Sequence, residues 1–145
     1  MAGFSDTSET NILKLYLNAT AIANIADNAS SSPNTAVWVS LHTADPGDTG
    51  TAGTNEASYT GYTRISVTRT TAGWTVASGA ANPVAAITFP QNTSTSTGTL
   101  THAAIVMTSA TTGGIIIASG TISPNINYSQ NVTPSLTTGS SFTLD

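Results

Sequence analysis

Serine and threonine occupy 46 of 145 positions, while charged residues make up only 7% of the chain. An average soluble domain is roughly 25% charged. A chain so poor in charge stays in solution through its hydroxyls, or it lies packed against something. Threonine is β-branched, so it fits a pleated, half-buried surface and loses side-chain freedom in a helix. The composition therefore steers the chain toward β-structure with hydroxyl-coated faces, suited to assembly more than to chemistry.

The same imbalance excludes whole classes of function. With no cysteine there is no disulfide framework, no Cys-based zinc site and no thiol nucleophile. The basic residues are Lys14, Arg64 and Arg69, and the net charge is −4. Neutralising a phosphate backbone takes several basic contacts. Neither nucleic acid nor an anionic membrane surface is therefore an expected partner. No apolar run is long enough to span a bilayer, and Met1–Asp6 lacks the features of a signal peptide. The length suits a single domain over residues 1–145, able to bury a core without staples.

Periodicity gives the elements. Asp6-Thr7-Ser8-Glu9 has the spacing of a capping box. Ile12, Leu15, Tyr16, Ala19 and Ile22 then recur at helical spacing, which predicts a helix over about 7–26. Leu13 and Leu17 widen its apolar face, which suits either a simple core helix or burial on two sides, against a sheet and against a second subunit that would take Leu13, Tyr16 and Leu17. From Val37 the period becomes two: Val37, Val39 and Leu41 point one way, Trp38, Ser40 and His42 the other. Further strands are expected at Tyr62–Arg69, Gly73–Val76, Val84–Phe89, Leu100–Met107, Ile115–Ile122, Val132–Leu136 and Ser141–Leu144. Thr111-Thr112-Gly113-Gly114 marks a hairpin, and Pro124, Asn125 and Asn127 should end the strand after it. Some eight strands over about 36–144 with turns between them predict an all-β fold: an antiparallel β-sandwich or jelly roll with one N-terminal α-helix.

Reactive constellations are scarce. His42, Asp45 and Asp48 have a spacing that could be read as a metal site, but Asp45-Pro46-Gly47-Asp48 is a turn sequence and lacks the alternating oxygens of a calcium loop. A Ser-His-Asp set can be drawn from His42 or His102, yet no nucleophile elbow is present. Seven acidic residues give no evident glycosidase pair. Trp38, Tyr59, Tyr62 and Trp74 could stack on a sugar, but core or protein interface is the favoured place for them. Arg64 and Arg69 are expected in a salt bridge to Asp45, Asp48 or Glu56, within the chain or across an interface, with a solvated Arg64 as the alternative. The long polar stretch Thr43–Gly61 is the candidate contact arm.

The segments Asn18–Ala29, Val39–Asp48 (with its LHTADPGD run), Asn55–Arg64, Gly73-Trp74, Ile87–Pro90 and Leu100–His102 resemble a group of small tailed-bacteriophage virion proteins over most of the chain. The resemblance implies a virion protein made in the host bacterial cytoplasm. By similarity to small all-β cement proteins, it implies a non-enzymatic decoration protein on the outer capsid surface. Such a protein would bind the major capsid protein of a tailed phage as a homo-oligomer, dimer or trimer, with no cofactor and no metal. A tail or head–tail connector component is the alternative, and a carbohydrate-binding module a further one. The expected interface residues are Leu13, Tyr16, Leu17, Trp38, His42, Asp45, Asp48, Tyr59, Tyr62, Arg64 and Arg69.

Overall fold

A computed structural model describes residues 6–22, 34–47 and 49–143. Asp48 lies outside the described residues, as does the predicted helical tail from Ala23 to Ala26. The chain is all-β with one N-terminal helix: α1 (Asp6–Leu17), β1 (Ala36–His42), β2 (Ile65–Thr68), β3 (Trp74–Ala77), β4 (Ala80–Pro83), β5 (Ile87–Thr88), β6 (Gly98–Val106), β7 (Ile116–Tyr128), β8 (Ser135–Leu136) and β9 (Phe142–Thr143). Among the described residues three sheets form, ordered β2-β1-β6-β7, β3-β4-β9 and β5-β8. The chain folds into two compact units, each assembled from separate segments: 1–37 with 67–86 and 137–145, and 38–66 with 87–136.

In the first unit α1 lies over β3 and β4. Leu13 and Leu17, four residues apart, share the inward face and are buried. Trp74 is fully buried, edge-on to Phe142 with ring centroids 6.0 Å apart. The helix ends at Leu17, short of the predicted 26. Ala19 takes a left-handed conformation (φ 52°), and the amides of Asn18 and Thr20 both turn back to the Lys14 carbonyl. This is a C-terminal cap of the left-handed type. It hid because alanine fills the position usually given to glycine, while Ala21 and Ile22 prolong the apolar pattern. Arg69 completes the stop by donating to the carbonyls of Leu15, Tyr16 and Asn34, a cation set against a helix C-terminus.

The structure departs from the sequence reading at two further places, the second of which runs into the other unit. Ala80–Pro83 forms β4, between β3 and β9, although Ala-Ala-Asn-Pro carries no strand signal. Its cause is the turn before it. Ser78 (φ 51°) and Gly79 (φ 70°) form the two-residue loop joining Ala77 to its partner Ala80, with the positive angles that match strand twist. The strand expected over Val84–Phe89 shrinks to Ile87–Thr88, and Val84 is exposed.

The second unit is built on the antiparallel pairs β1–β6 and β6–β7. Val39, Leu41, Leu100, Ala104, Ile105 and Val106 are its buried core. Trp38 and Ile116 pack from the margin against Ala52, Ala104 and Val106. The β6–β7 hairpin appears as expected, but Pro124 does not end β7, which runs on to Tyr128 in spite of a cis Ser123–Pro124 bond. Leu100 pairs with Ile126 and His102 with Thr121, so residues 122–125 face the single residue Thr101. Pro124 thus sits in a bulge on an outer strand, where no ladder amide is needed from it. His102 lies within β6 opposite His42 and Thr121. Asn92 is fully buried and organises the 92–96 turn, accepting from Ser94 and donating to the Ser96 carbonyl. No described helix is long and apolar enough to cross a membrane.

Candidate functional site

The densest polar construction lies in the second unit, where the Thr43–Gly61 stretch folds back on β1. The Ala57 amide donates to the Leu41 carbonyl and the Thr43 amide to the Asn55 carbonyl. Glu56 forms a single bridge with His42. Asn55 takes the left-handed turn (φ 54°), which asparagine tolerates, and its side chain donates to the Asp45 carbonyl. Asp45 Oδ1 accepts the Gly47 amide, the turn bond that an Asp-Pro-Gly sequence favours. The contact arm of the sequence reading is therefore tied down along its own strand.

This fastening carries Glu56 to Arg64. The guanidinium Nε donates to Glu56 Oε1 at 2.7 Å and Nη2 to Oε2 at 2.8 Å, a bidentate pair. Nη1 also donates to the Thr108 carbonyl and Nη2 to the Gly113 carbonyl. The Arg64 side chain is fully enclosed, and that of Glu56 is 6% exposed. The salt bridge expected of Arg64 thus forms within the chain, with Glu56 as the partner, whereas Arg69 donates to backbone carbonyls instead of an acid. Tyr62 hydroxyl donates to Glu56 Oε1 at 3.0 Å and accepts the Leu41 amide at 3.0 Å. One carboxylate thereby ties the loop, β1 and the β6–β7 turn together.

A chain of rings continues from this node. Tyr62 stacks on Phe89 and stands edge-on to Tyr59, which lies 5.1 Å from the Tyr128 ring. The Tyr59 hydroxyl donates to the Pro90 carbonyl, and burial, aided by Tyr128, pushes its pKa up to about 12. Burial also raises the Tyr62 pKa, reinforced by the Glu56 carboxylate it bonds and offset in part by the Leu41 amide and Arg64. Both phenols are held as neutral donors. A hollow of ≈ 300 Å³ lies over Glu56, Tyr59 and Tyr62, with Gly53 and Thr111 on its rim.

Ser40 and His42 form a second buried arrangement. Ser40 Oγ lies 2.9 Å from His42 Nε2, and His42 Nδ1 lies 2.8 Å from the Thr54 carbonyl oxygen. A carbonyl only accepts, so Nδ1 carries the proton and Nε2 accepts from the serine. Burial lowers the His42 pKa below its ordinary value, and this outweighs the Thr54 carbonyl and Glu56, which act the other way. The serine–imidazole pair has the separation of a nucleophile and its base. Both residues are fully buried, however, and a backbone carbonyl stands where a triad has a carboxylate. The arrangement locks the core; no substrate reaches it. Among the described residues no three His, Asp or Glu side chains gather as metal ligands.

The structure thus brings His42, Tyr59, Tyr62 and Arg64 of the expected set around Glu56 and leaves the others elsewhere. His42, Tyr59 and Arg64 are buried within their own unit. Trp38 is half-buried and Asp45 exposed. In the other unit Leu13 and Leu17 are buried, Tyr16 is 43% exposed, and Arg69 holds the helix end. Sequence reasoning did not anticipate Phe89 and Tyr128 in the ring chain, nor Ser40 beside His42. The only available signal was their aromatic or hydroxyl character within predicted strands and loops.

Residues 3–142 match the family described as podophage GP4 fiber I protein gp80. No curated protein matches the chain.

Proposed function

This chain belongs to the podophage GP4 fiber I protein gp80 family of phage virion structural proteins, and from that premise we propose that it is a non-catalytic building block of a virion fibre. The family match, which spans nearly the whole chain, carries this reading. The chemistry of the central node supports it. Glu56, Arg64, Tyr59 and Tyr62 direct their polar atoms at one another and at backbone groups, as scaffold residues do. The surface is rich in hydroxyls and poor in charge, so it can lie against other subunits without the cost of burying ions.

The same surface supports a second reading, a cement protein on the outer capsid that bridges major capsid protein subunits. The two differ in stoichiometry and place. Gel densitometry of purified virions against the coat protein, with gold-labelled antibody on intact particles, separates them. A few copies per particle, with gold on fibres at the tail end, are expected. Hundreds of copies with gold over the head would replace the fibre reading with the cement one. Its absence from particles would end both.

A further inference from the structure

β7 presents a chemistry that none of the foregoing uses. It is 13 residues long, and not one of them is buried. It pairs with β6 on one side, and among the described residues no strand lies on the other. It carries Ile116, Ile117, Ile122 and Ile126, and Ile115 just before it is 66% exposed. No residue from Met107 to Tyr128 is charged. Proteins normally blunt such an edge with lysine, an inward charge or a covering segment, because its open amides and carbonyls are a template for another strand. Here the bulge at residues 122–125, with Pro124 in it, interrupts the far half. The half from Ile115 to Thr121 carries a smaller irregularity, a one-residue slip of register at Ile117, and pairs with β6 without a break over Ala118–Thr121; its seven residues span about 24 Å at strand rise. A groove of ≈ 530 Å³ follows Ile115–Ser119, its other wall made by Gly47, Gly50 and Thr51, residues small enough to admit a backbone.

We propose that the Ile115–Thr121 edge of β7 is an interface between copies of this chain, two β7 strands pairing antiparallel about a two-fold axis. Three observations select a second copy over another partner. An antiparallel edge is complementary to itself, so one surface serves both sides of a closed contact. The chain is acidic, with a net charge of −4, and two like-charged copies approach with least repulsion along a stretch that has no charge. The sheet's other edge, β2, has only four residues, so a β7–β2 pairing would leave most of β7 open, whereas β7–β7 matches length to length. The Pro124 bulge then limits pairing to one register block and keeps the contact from propagating into a fibril. This inference goes beyond the fibre reading and holds whether the virion site is a fibre or a capsid.

Sedimentation velocity of the purified full chain tests it, beside the double variant Ile115→Lys/Ser119→Lys and the control Val84→Lys, an exposed apolar residue of the other unit. The wild type and the control are expected to sediment at twice the chain mass and the double variant as a monomer, with unchanged circular dichroism. A second measurement does not depend on the lysine variants folding. The chain has no cysteine, so single substitutions Ala118→Cys, Ser119→Cys and Gly120→Cys report self-contact directly. At least one should give a disulfide-linked dimer under mild oxidation, since residues opposed near the axis fall within disulfide reach, and Val84→Cys should not. A wild type that stays monomeric at the highest soluble concentration overturns the proposal. So does a dimer that survives both lysines, or crosslinking as strong at position 84 as on β7.

Discussion

Glu56→Ala should cost more stability than the same exchange at the exposed Asp45, the other described acidic residue of the second unit. The carboxylate accepts from Arg64 Nε at 2.7 Å, from Arg64 Nη2 at 2.8 Å and from Tyr62 hydroxyl at 3.0 Å. Its removal leaves a guanidinium with a fully enclosed side chain and only two acceptors, the carbonyls of Thr108 and Gly113 at 3.0 and 3.3 Å. Breaking one half of a buried ion pair costs about 3–5 kcal/mol, because the surviving charge keeps its desolvation penalty. For a chain of this size that lowers Tm by roughly 10–15 °C. Replacing both partners removes both penalties, so Glu56→Leu/Arg64→Met should lie within about 2 kcal/mol of the wild type and above Glu56→Ala. Urea unfolding in a Trp74→Phe background isolates the relevant unit, since Trp38 is then the only tryptophan and belongs to the unit that holds the pair. A Glu56→Ala midpoint within 1 kcal/mol of the parent would refute the account. So would a double variant less stable than the single, since packing would then be what holds the site.

His42 is kept neutral in the fold with its pKa below the usual value of 6.5, so below that pH the unfolded chain binds a proton that the native chain does not. Stability should therefore fall as pH drops from about 6.5 toward the lower native pKa, and a His42→Gln variant should lose that component of the slope in urea midpoints measured from pH 7 to 5. At the alkaline end Tyr59, raised to about 12 mainly by burial, keeps its proton longer when folded; stability present below pH 10 should fade between 10 and 12, with Tyr59→Phe showing less of this loss. Trypsin has three sites, Lys14, Arg64 and Arg69; Arg64 is buried and Arg69 is bonded to three carbonyls, so native protein should be cut at Lys14 at most, while urea-unfolded protein is cut at all three on a gel.

Composition and local period made the class of this protein legible. Abundant β-branched threonine, the alternation of Val37, Val39 and Leu41, and the Gly113-Gly114 turn between two apolar runs specify antiparallel β-structure, because each acts within a few residues. The scarcity of charge likewise restricted the partners of Arg64 to a few acids, and Glu56 was among them. Other features rest on groups far apart in sequence. Ala80–Pro83 is a strand because β3 and β9 flank it, and nothing in Ala-Ala-Asn-Pro favours one. Pro124 is tolerated because the register slips by three residues around it. Helix α1 stops where Arg69, more than fifty residues on, takes its last carbonyls. His42, expected at an interface, and Tyr59, expected in a core or an interface, are both buried in their unit, since exposure depends on what folds over a strand as well as on its alternation. What covers β1 is its own polar loop, clipped down by the Leu41–Ala57 bond and the Glu56–Arg64 pair. Local propensity thus fixed the kind of structure. Long-range pairing and burial, which have no local signature, decided which side chains stayed available on the surface.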